Sequence, residues 1–439
     1  MWAAALGLGT ANPRYRAMLA LARLASRRSG VALAARALHA AAPTGAHKVV
    51  AVLYPDPVAG FPPSYARDTL PNVTVYPDGF EVPRLKDAAP GTLLGCVSGE
   101  LGLRPYLSSR GDSYVVTSDK DGPDSALDAE LADADVLITT PFWPAYIDAD
   151  RLRRAGKLKL LLTAGVGSDH IDLAAAAAKG VTVAEATHSN SVSVAEHAVM
   201  TILTLVRNFV PAHLTAVTGG WHVADLAARS YDLERMAVGT VGAGRIGLAV
   251  LRRLAPFDVE LHYTDRRRLP GSVEQALNLQ YHASTEEMVP HCDVVTINAP
   301  LHSGTEHLFN DAMLRRMRRG AYLVNTARGK ICDRDAVVAA LETGHLAGYG
   351  GDVWHPQPAP ASHPWRKMPH HAMTPHMSGT TLSAQARYAA GVRDILERYF
   401  AGKAIPDEYL IVDRGKLAGV GAQSYGPKAS VDTMQGTGS

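Results

Sequence analysis

The chain contains 439 residues, of which 47% are hydrophobic and 20% charged, and its formal net charge is +2. This length predicts two or three domains of about 150 residues each, and the near-neutral charge excludes a basic field for nucleic acid or an anionic membrane. No stretch approaches the roughly 18 apolar residues of a membrane span, and three scattered cysteines without CxxC spacing exclude a disulfide scaffold or a zinc cluster.

Residues 1–45 differ in composition from the rest of the chain. Six arginines interrupt an alanine- and leucine-rich background, and the first acidic residue of the chain is Asp56. Arginine-rich segments without acidic residues are typical of organelle transit peptides. We therefore expect residues 1–45 to be a transit peptide to the mitochondrion, with the chloroplast as the alternative destination; a disordered tail is the other interpretation.

Short apolar runs alternate with helical patterns from residue 46 onwards. In the first half of the chain we expect strands at 47–54, 113–117, 134–139, 158–163 and 181–184. A long helix is expected from Ser193 to about Phe209, with Glu196 completing a capping box. Alternating strands and helices predict an α/β fold with parallel sheets and ligand loops at the carboxyl ends of the strands.

The stretch 236–265 has the organisation of a dinucleotide-binding unit. An apolar run at 237–241 leads into the GxGxxG sequence of Gly242, Gly244 and Gly247, and a second apolar run ends at Asp265. Gly242 permits a tight turn, Gly244 lets the backbone approach a pyrophosphate, and Gly247 allows close packing between helix and sheet. Asp265 is placed to accept hydrogen bonds from a ribose and to repel a 2′-phosphate, which favours NAD over NADP.

Further strands are expected at 293–298, 321–325 and 348–353, and a final helix at 381–400. Polar residues directly follow each of these strands, where open α/β sheets place their chemistry. His363, His370 and His371 lie close in sequence to His376, but no acidic residue or cysteine accompanies them at ligand spacing. We therefore expect no metal site.

The segments TAGVGSDH, SNSVSVAEH, GAGRIG, HYTD, NAPLH, NTARGK, GDVW, PQPAP, HPW and TPHMSGTT occur in this order. With them the chain resembles the NAD-dependent formate dehydrogenases, a family within the D-2-hydroxyacid dehydrogenase group, over about residues 46–425. The resemblance implies two Rossmann-like, doubly wound parallel-sheet domains, an NAD cofactor, formate as the substrate and a homodimer. It also implies a catalytic domain split into 46–190 and 378–439 around an NAD-binding domain at 191–377.

Matched residue by residue, the resemblance makes Arg328 and Asn190 the ligands of the formate carboxylate and makes His376 and Gln357 a hydrogen-bonded pair beside it. Asn190 could instead be a helix N-cap. The pocket lining implied is Pro141, Phe142 and Val166. Asp352 would face the nicotinamide carboxamide. The other cofactor-binding residues implied are Ser191, Gly242, Gly244, Arg245, Ile246, Gly247, Asp265, Pro300, His302, Gly304, Thr326, Ser378 and Gly379.

Two positions depart from the family pattern. Val166 stands where isoleucine is common, which leaves the pocket slightly wider, and Gly304 stands where relatives carry an acid. We therefore expect position 304 to contact the cofactor differently from the acid of those relatives.

The substrate class depends on the partner of His376. Hydroxyacid dehydrogenases pair the matching histidine with a carboxylate, yet the segment between Val353 and Pro375 contains no Asp or Glu. Gln357 is the available partner, and an amide cannot stabilise imidazolium as a carboxylate would. The sequence therefore favours formate; the alternatives are a D-2-hydroxyacid dehydrogenase acting on a glyoxylate-type substrate and a non-catalytic NAD-sensing protein.

Overall fold

The computed structural model describes residues 46–61, 74–85, 91–419 and Tyr425, so the expected transit peptide lies outside the described residues. The described strands, in chain order, are β1 (Lys48–Val52), β2 (Ser113–Thr117), β3 (Val136–Thr139), β4 (Leu160–Thr163), β5 (Thr182–Glu185), β6 (Ala237–Val241), β7 (Glu260–Thr264), β8 (Leu279–His282), β9 (Val294–Ile297), β10 (Ala321–Asn325), β11 (Leu346–Gly351), β12 (His371–Met373), β13 (Leu410–Asp413) and β14 (Lys416–Leu417).

The α-helices connect and cover these strands. They are α1 (Arg104–Ser109), α2 (Ala126–Leu131), α3 (Ala149–Arg154), α4 (Leu173–Lys179), α5 (Ser191–Val206), α6 (Phe209–Val217), α7 (Val223–Ala227), α8 (Arg245–Leu254), α9 (Gly271–Leu277), α10 (Thr285–Met288), α11 (Asp311–Arg316), α12 (Arg334–Glu342) and α13 (Leu382–Phe400). Within the described residues no single helix is long and apolar enough to cross a membrane; α5 and α6 pass that test only together, as a pair bent by 70°.

The strands form two seven-stranded sheets, which confirms the predicted α/β class with two parallel-sheet layers. The first has the order β14-β13-β5-β4-β3-β1-β2, and the second β12-β11-β10-β9-β6-β7-β8. The first sheet thus takes strands from both ends of the described chain. One correction applies, because β13 and β14 at its edge are antiparallel.

The second sheet is doubly wound about β6. The chain passes from β6 to β7 and β8 on one side and then returns to β9 to β12 on the other. Val241 at the end of β6 is in register with Thr264 of β7 and Ile297 of β9, so the three carboxyl ends finish level. Open α/β sheets bind their ligands at such a switch point.

The long helix after β5 differs from the sequence prediction. It begins at Ser191, two residues before the expected Ser193, and it ends at Val206 rather than near Phe209. Asn208 adopts a left-handed φ of 52°, which a short polar residue tolerates, and α6 follows after the bend. The expected capping box is wrong, because Glu196 accepts a hydrogen bond from Arg253 on α8 instead.

Candidate active site

The glycine turn after β6 has the three properties that its sequence predicts. Gly242 has a left-handed φ of +89°, and a Cβ placed there would lie 2.9 Å from the amide nitrogen of Ala299. A Cβ on Gly247 would lie 2.0 Å from the carbonyl oxygen of Gly242, so α8 packs directly on the turn. A Cβ on Gly244, by contrast, would meet nothing within 4 Å. The backbone of Gly244 therefore faces open space at the N-terminus of α8, where a pyrophosphate can approach.

The end of β7 is tied to this turn by Asp265. Its Oδ2 accepts a hydrogen bond from the Ala243 N–H at 2.8 Å, and its Oδ1 accepts one from the Arg267 N–H at 3.0 Å. Each carboxylate oxygen retains a further lone pair for a ligand. Arg245, the first residue of α8, donates from Nε to Asp78 Oδ2 at 3.2 Å. Ile246 beside it packs against the core between α5, α8 and the sheet.

The loop after β9 is closed by its own hydrogen bonds. Thr305 Oγ1 donates to the Pro300 carbonyl at 2.7 Å, and the Gly304 N–H donates to His302 Nδ1 at 3.1 Å. Nδ1 is therefore the acceptor nitrogen of His302. Gly304, the departure from the family pattern, has the His302 ring 3.2 Å from the place of its missing Cβ.

Arg328 follows β10 and reaches the loop after β4. Its Nε donates to Asp169 Oδ1 at 2.5 Å, its Nη1 to the Ala327 carbonyl at 2.7 Å and its Nη2 to the Val166 carbonyl at 3.3 Å. Burial lowers the pKa of Arg328, but the facing Asp169 carboxylate raises it, and the net shift is upward. A guanidinium has five N–H groups. Nη1 and Nη2 therefore each keep one N–H without an acceptor among the described residues, which suits a planar carboxylate.

His376 and Gln357 form a hydrogen-bonded pair, with 2.5 Å between Gln357 Nε2 and His376 Nδ1. The same Nε2 lies 3.1 Å from the Pro141 carbonyl oxygen. Because a carbonyl can only accept, the amide nitrogen must be the atom facing it, so its second N–H donates to Nδ1. The proton of the neutral imidazole then sits on Nε2. Burial lowers the pKa of His376 to about 4, although Asp352 acts in the opposite direction, so the ring is neutral at pH 7.

Asn190 precedes α5 but does not cap it, since its side chain accepts no hydrogen bond from the helix. Its Oδ1 is buried without a partner among the described residues. A Cβ on Gly379 would lie 2.6 Å from Asn190 Nδ2 and 2.9 Å from the Phe142 ring. That ring in turn stands edge-on to His376 at a centroid distance of 5.4 Å. The substrate residues that the sequence predicted therefore form one continuous cluster, joined to Arg328 through the 165–169 loop.

Asp352 is fully buried after β11 and fixes the segment that carries His376. Oδ1 accepts hydrogen bonds from the Thr374 hydroxyl at 2.6 Å and the Met377 N–H at 2.8 Å, and Oδ2 accepts one from the Ser378 N–H at 2.7 Å. His197 on α5 reaches the same Thr374 hydroxyl, at 3.1 Å. Asp352 thus organises the loop around the site, in addition to any contact with a carboxamide.

Several polar groups at this site were not predicted from the sequence. Asp169 lies in the 165–169 loop and accepts a hydrogen bond from Arg328, the buried Glu185 anchors that loop, and Tyr425 contacts it from a distant segment of the chain. Ser189 Oγ and the predicted Thr326 Oγ1 are both buried without a partner among the described residues. Buried polar atoms without a partner indicate a place for a ligand or water. Ser189 could have been predicted from the sequence, because it precedes Asn190 in a loop at the end of a strand.

These groups fit a dinucleotide and a small carboxylate. The open space at Gly244 offers a cradle for an anion. The Asn190 and Thr326 oxygens and two N–H groups of Arg328, which have no partner among the described residues, offer acceptor and donor atoms. Ser191 is buried at the first turn of α5, beside the Asn190 backbone. In the part of the chain that the structure describes, no group of three or more His, Cys, Asp or Glu side chains could hold a metal ion.

Comparison with known proteins identifies close relatives. The family model described as D-isomer specific 2-hydroxyacid dehydrogenase, NAD binding domain, matches residues 199–378. A formate dehydrogenase of Pseudomonas sp. (strain 101) is 65% identical over 380 residues, covering 86% of this chain and 95% of that protein. The formate dehydrogenase 2, mitochondrial, of Oryza sativa subsp. japonica is 55% identical over 325 residues, covering 74% and 86%. The crystal structure of an NAD-dependent formate dehydrogenase from Staphylococcus aureus in complex with NAD is 42% identical, with a TM-score of 0.71, covering 83% of this chain and 99% of that one.

Proposed function

The chain belongs to the NAD-dependent formate dehydrogenases of the D-2-hydroxyacid dehydrogenase family. From this premise we propose which residues bind formate and which orient it. The reaction oxidises formate to carbon dioxide, and NAD supplies the hydride acceptor. We assign formate binding to Arg328 and Asn190, and orientation of the substrate to His376 with its partner Gln357. Pro141, Phe142 and Val166 close the pocket around them.

The observation that carries this assignment is the neutral His376–Gln357 pair beside a cationic arginine. Formate oxidation breaks a C–H bond and leaves no proton on oxygen, so the site needs alignment and charge control rather than a base. The two terminal nitrogens of the planar Arg328 guanidinium, called the Arg328 fork below, can hold a carboxylate in a fixed plane. A neutral imidazole that donates from Nε2 adds a hydrogen bond without a second full charge. Reduction of a keto acid would instead need a proton donor with a carboxylate partner.

The direct test follows NADH absorbance with purified protein, with formate and with glyoxylate in separate assays. We expect NADH production from formate, and little NADH consumption with glyoxylate. A matched variant, Arg328→Lys, keeps the charge but loses the fork. We expect it to raise the formate KM by roughly tenfold or more. Efficient glyoxylate reduction with no formate oxidation would contradict the assignment.

We also propose that the protein is a homodimer joined through its coenzyme domains. Large apolar side chains are exposed along one segment: Met200, Phe209, Leu214, Val217, Trp221, Val223 and Tyr231. A concentration of exposed apolar side chains supports an interaction surface. Light scattering at micromolar concentration should give twice the chain mass. The double variant Phe209→Asp with Leu214→Asp should give a monomer, and Phe257→Asp, an exposed phenylalanine outside this segment, should not. A monomeric parent protein would contradict the proposal.

We place the protein in the mitochondrion on the basis of residues 1–45, which lack acidic residues and contain six arginines. The name of the rice relative supports this destination for a member of the family. Fusing residues 1–45 to a fluorescent protein and imaging it against mitochondrial and chloroplast markers tests the proposal. A diffuse signal would contradict it, and chloroplast localisation would support the alternative.

A further inference from the structure

The guanidinium of Arg328 is positioned mainly by a loop of the other sheet. Two of its three hydrogen-bond acceptors, Asp169 Oδ1 and the Val166 carbonyl, belong to the loop 165–169 that follows β4. The fit is close, because a Cβ on Gly167 would lie 1.6 Å from Nη2. Any shift of this loop therefore moves the guanidinium.

Glu185, the last residue of the neighbouring strand β5, anchors this loop. Glu185 Oε2 accepts hydrogen bonds from the Gly167 N–H at 3.0 Å and from Ser168 Oγ at 3.1 Å. Thr163 Oγ1 lies 3.0 Å from the same Ser168 hydroxyl. These contacts satisfy the Ser168 side chain and the Gly167 amide, but they leave the Ser168 N–H to be paired elsewhere.

Tyr425 provides that acceptor. The Ser168 N–H donates to Tyr425 Oη at 2.7 Å, across 257 positions of sequence. Ser168 is fully buried, so this N–H has no access to bulk water. The Tyr425 ring packs against the core formed by β1, β4, β5 and β13, which fixes its position relative to the loop. The chain thus anchors the arginine-holding loop from two separate segments.

We propose that Tyr425 is a positioning residue for formate binding, acting through the 165–169 loop on Arg328; this inference rests on the proposed function. Loss of its hydroxyl leaves the buried Ser168 N–H without an acceptor. The loop must then shift to find one, and it takes the Val166 carbonyl and Asp169 with it. A planar carboxylate held by two N–H groups is sensitive to such a displacement. Among the described residues no hydrogen bond joins this loop to the cofactor cradle at Gly242 to Gly247, so the cradle should stay in place.

The test compares Tyr425→Phe with the matched control Tyr399→Phe, a half-buried tyrosine of α13 in the same sheet domain. Four quantities are measured on the full chain: the formate KM and kcat, the inhibition constant of nitrate, the Kd of NADH from its fluorescence, and Tm. Nitrate serves as a planar anion that probes the Arg328 fork without chemistry. We expect Tyr425→Phe to raise the formate KM and the nitrate inhibition constant together by about tenfold, the size of one lost buried hydrogen bond.

The NADH Kd of Tyr425→Phe should stay at its parental value and its Tm should fall by no more than a few degrees, and Tyr399→Phe should change none of the four quantities. Unchanged formate and nitrate constants in Tyr425→Phe would overturn the inference. So would a parallel loss of NADH affinity and Tm, since that would show only a general contribution to folding. A parent protein that binds NADH but does not oxidise formate would overturn the proposed function instead, which separates the two failures.

Discussion

At the scale of single residues, the amide of Gln357 decides where His376 carries its proton. The Pro141 carbonyl lies 3.1 Å from Gln357 Nε2 and admits only a donor at that position. The imidazole must therefore accept at Nδ1 and keep its hydrogen on Nε2. A carboxylate at position 357 would place one of its oxygens against the Pro141 carbonyl oxygen, and both atoms can only accept. The Pro141 carbonyl therefore requires a donor, such as an amide, at position 357.

The first prediction concerns this match. Gln357→Glu should lower kcat/KM for formate by roughly ten- to a hundredfold at pH 7–8, because an unpaired buried acceptor is unfavourable and the added anion repels formate. A carboxylate beside the ring also favours imidazolium, so glyoxylate reduction should rise relative to formate oxidation. The measurement is the pH profile of both reactions between about pH 6 and 9.

Gln275→Glu, an exposed substitution on α9, is the control for the added charge and should leave both profiles unchanged. A parental formate profile in Gln357→Glu would show that the pair with His376 is not needed. The preference for formate would then have to come from the size of the pocket.

The second prediction concerns the cofactor. Asp265→Ser should weaken NAD use and admit NADP, since the carboxylate that repels a 2′-phosphate is gone and Arg266 to Arg268 lie next to it in sequence. We expect the ratio of kcat/KM for NAD over NADP to fall by about a hundredfold. An unchanged ratio would remove Asp265 from the ribose site, and Asp293→Ser in the same domain is a suitable control.

At the scale of elements, two glycines of the GxGxxG turn between β6 and α8 have different roles, one in packing and one in leaving space for a ligand. Gly247 is needed for packing, because its missing Cβ would lie 2.0 Å from a carbonyl oxygen. A Cβ on Gly244 would meet no other part of the described chain within 4 Å, so the absence of a side chain there leaves space for a ligand.

The third prediction uses these two glycines as a matched pair. Gly244→Ala should keep the parental Tm and raise the NADH Kd by roughly tenfold or more, because the methyl group intrudes where the pyrophosphate approaches. Gly247→Ala should destabilise the fold by about 1–3 kcal/mol through overpacking between helix and turn. Fluorescence titration and thermal unfolding measure the two effects. Equal losses of stability in both variants would contradict the distinction.

Three histidines that the sequence analysis did not connect come together at β7, at β8 and in the turn at Val289–His291. His262 Nδ1 lies 2.9 Å from His282 Nε2, and the His291 ring stacks on His282 at 5.4 Å. Burial first, and then the neighbouring rings, lower the pKa of His262 to about 4. Arg318 acts in the same direction and Asp293 against it. The folded sheet therefore holds His262 in its neutral form.

The fourth prediction follows from this pKa with a definite sign. A histidine whose pKa is lower folded than unfolded contributes stability above about pH 6.5, and this stability is lost as the pH falls towards 4. His262 should account for about 2 kcal/mol of lost unfolding free energy between pH 7 and pH 5. Denaturant unfolding at a series of pH values should be flatter for His262→Asn than for the parent. His307→Asn, at an exposed histidine, should leave the dependence of unfolding free energy on pH unchanged. The same dependence in His262→Asn as in the parent would contradict a contribution of neutral His262 to stability.

At the scale of the whole molecule, all the described strands and core residues come after position 45. The first strand begins at Lys48, and the two hydrophobic cores that flank the first sheet begin at Val49 and Val50. In the first sheet β1 lies between β3 and β2, and β13 and β14 form the edge opposite β2, so both ends of the described chain stabilise one domain.

The fifth prediction is that a chain beginning at Ala46, with residues 1–45 removed, folds and oxidises formate like the full chain. We expect kcat within about twofold and Tm within a few degrees, since no described core residue is removed. Circular dichroism and the NADH assay measure both properties, with the full-length chain as the reference. An insoluble or inactive product would show that residues 1–45 take part in the fold.

The sequence by itself determined the local features of this protein. The glycine turn, the strand lengths and the residues that follow each strand are set by backbone freedom and hydrophobic periodicity within a few positions, so Gly242, Asp265, Arg328 and His376 could be placed on their elements. The domain boundaries and the roles of these residues stay predictions. The antiparallel edge was missed because β13 and β14 are short and their partner β5 is distant in sequence.

Only the tertiary structure decided which groups meet. Arg328 and Asp169 are 159 positions apart, and Ser168 and Tyr425 are 257 apart, so no local pattern could indicate either contact. The donor and acceptor roles in the His376–Gln357 pair likewise depend on the Pro141 carbonyl, 216 positions from Gln357. The proton of an imidazole is placed by the atoms that surround it in space, and a sequence lists those atoms without stating which of them are neighbours.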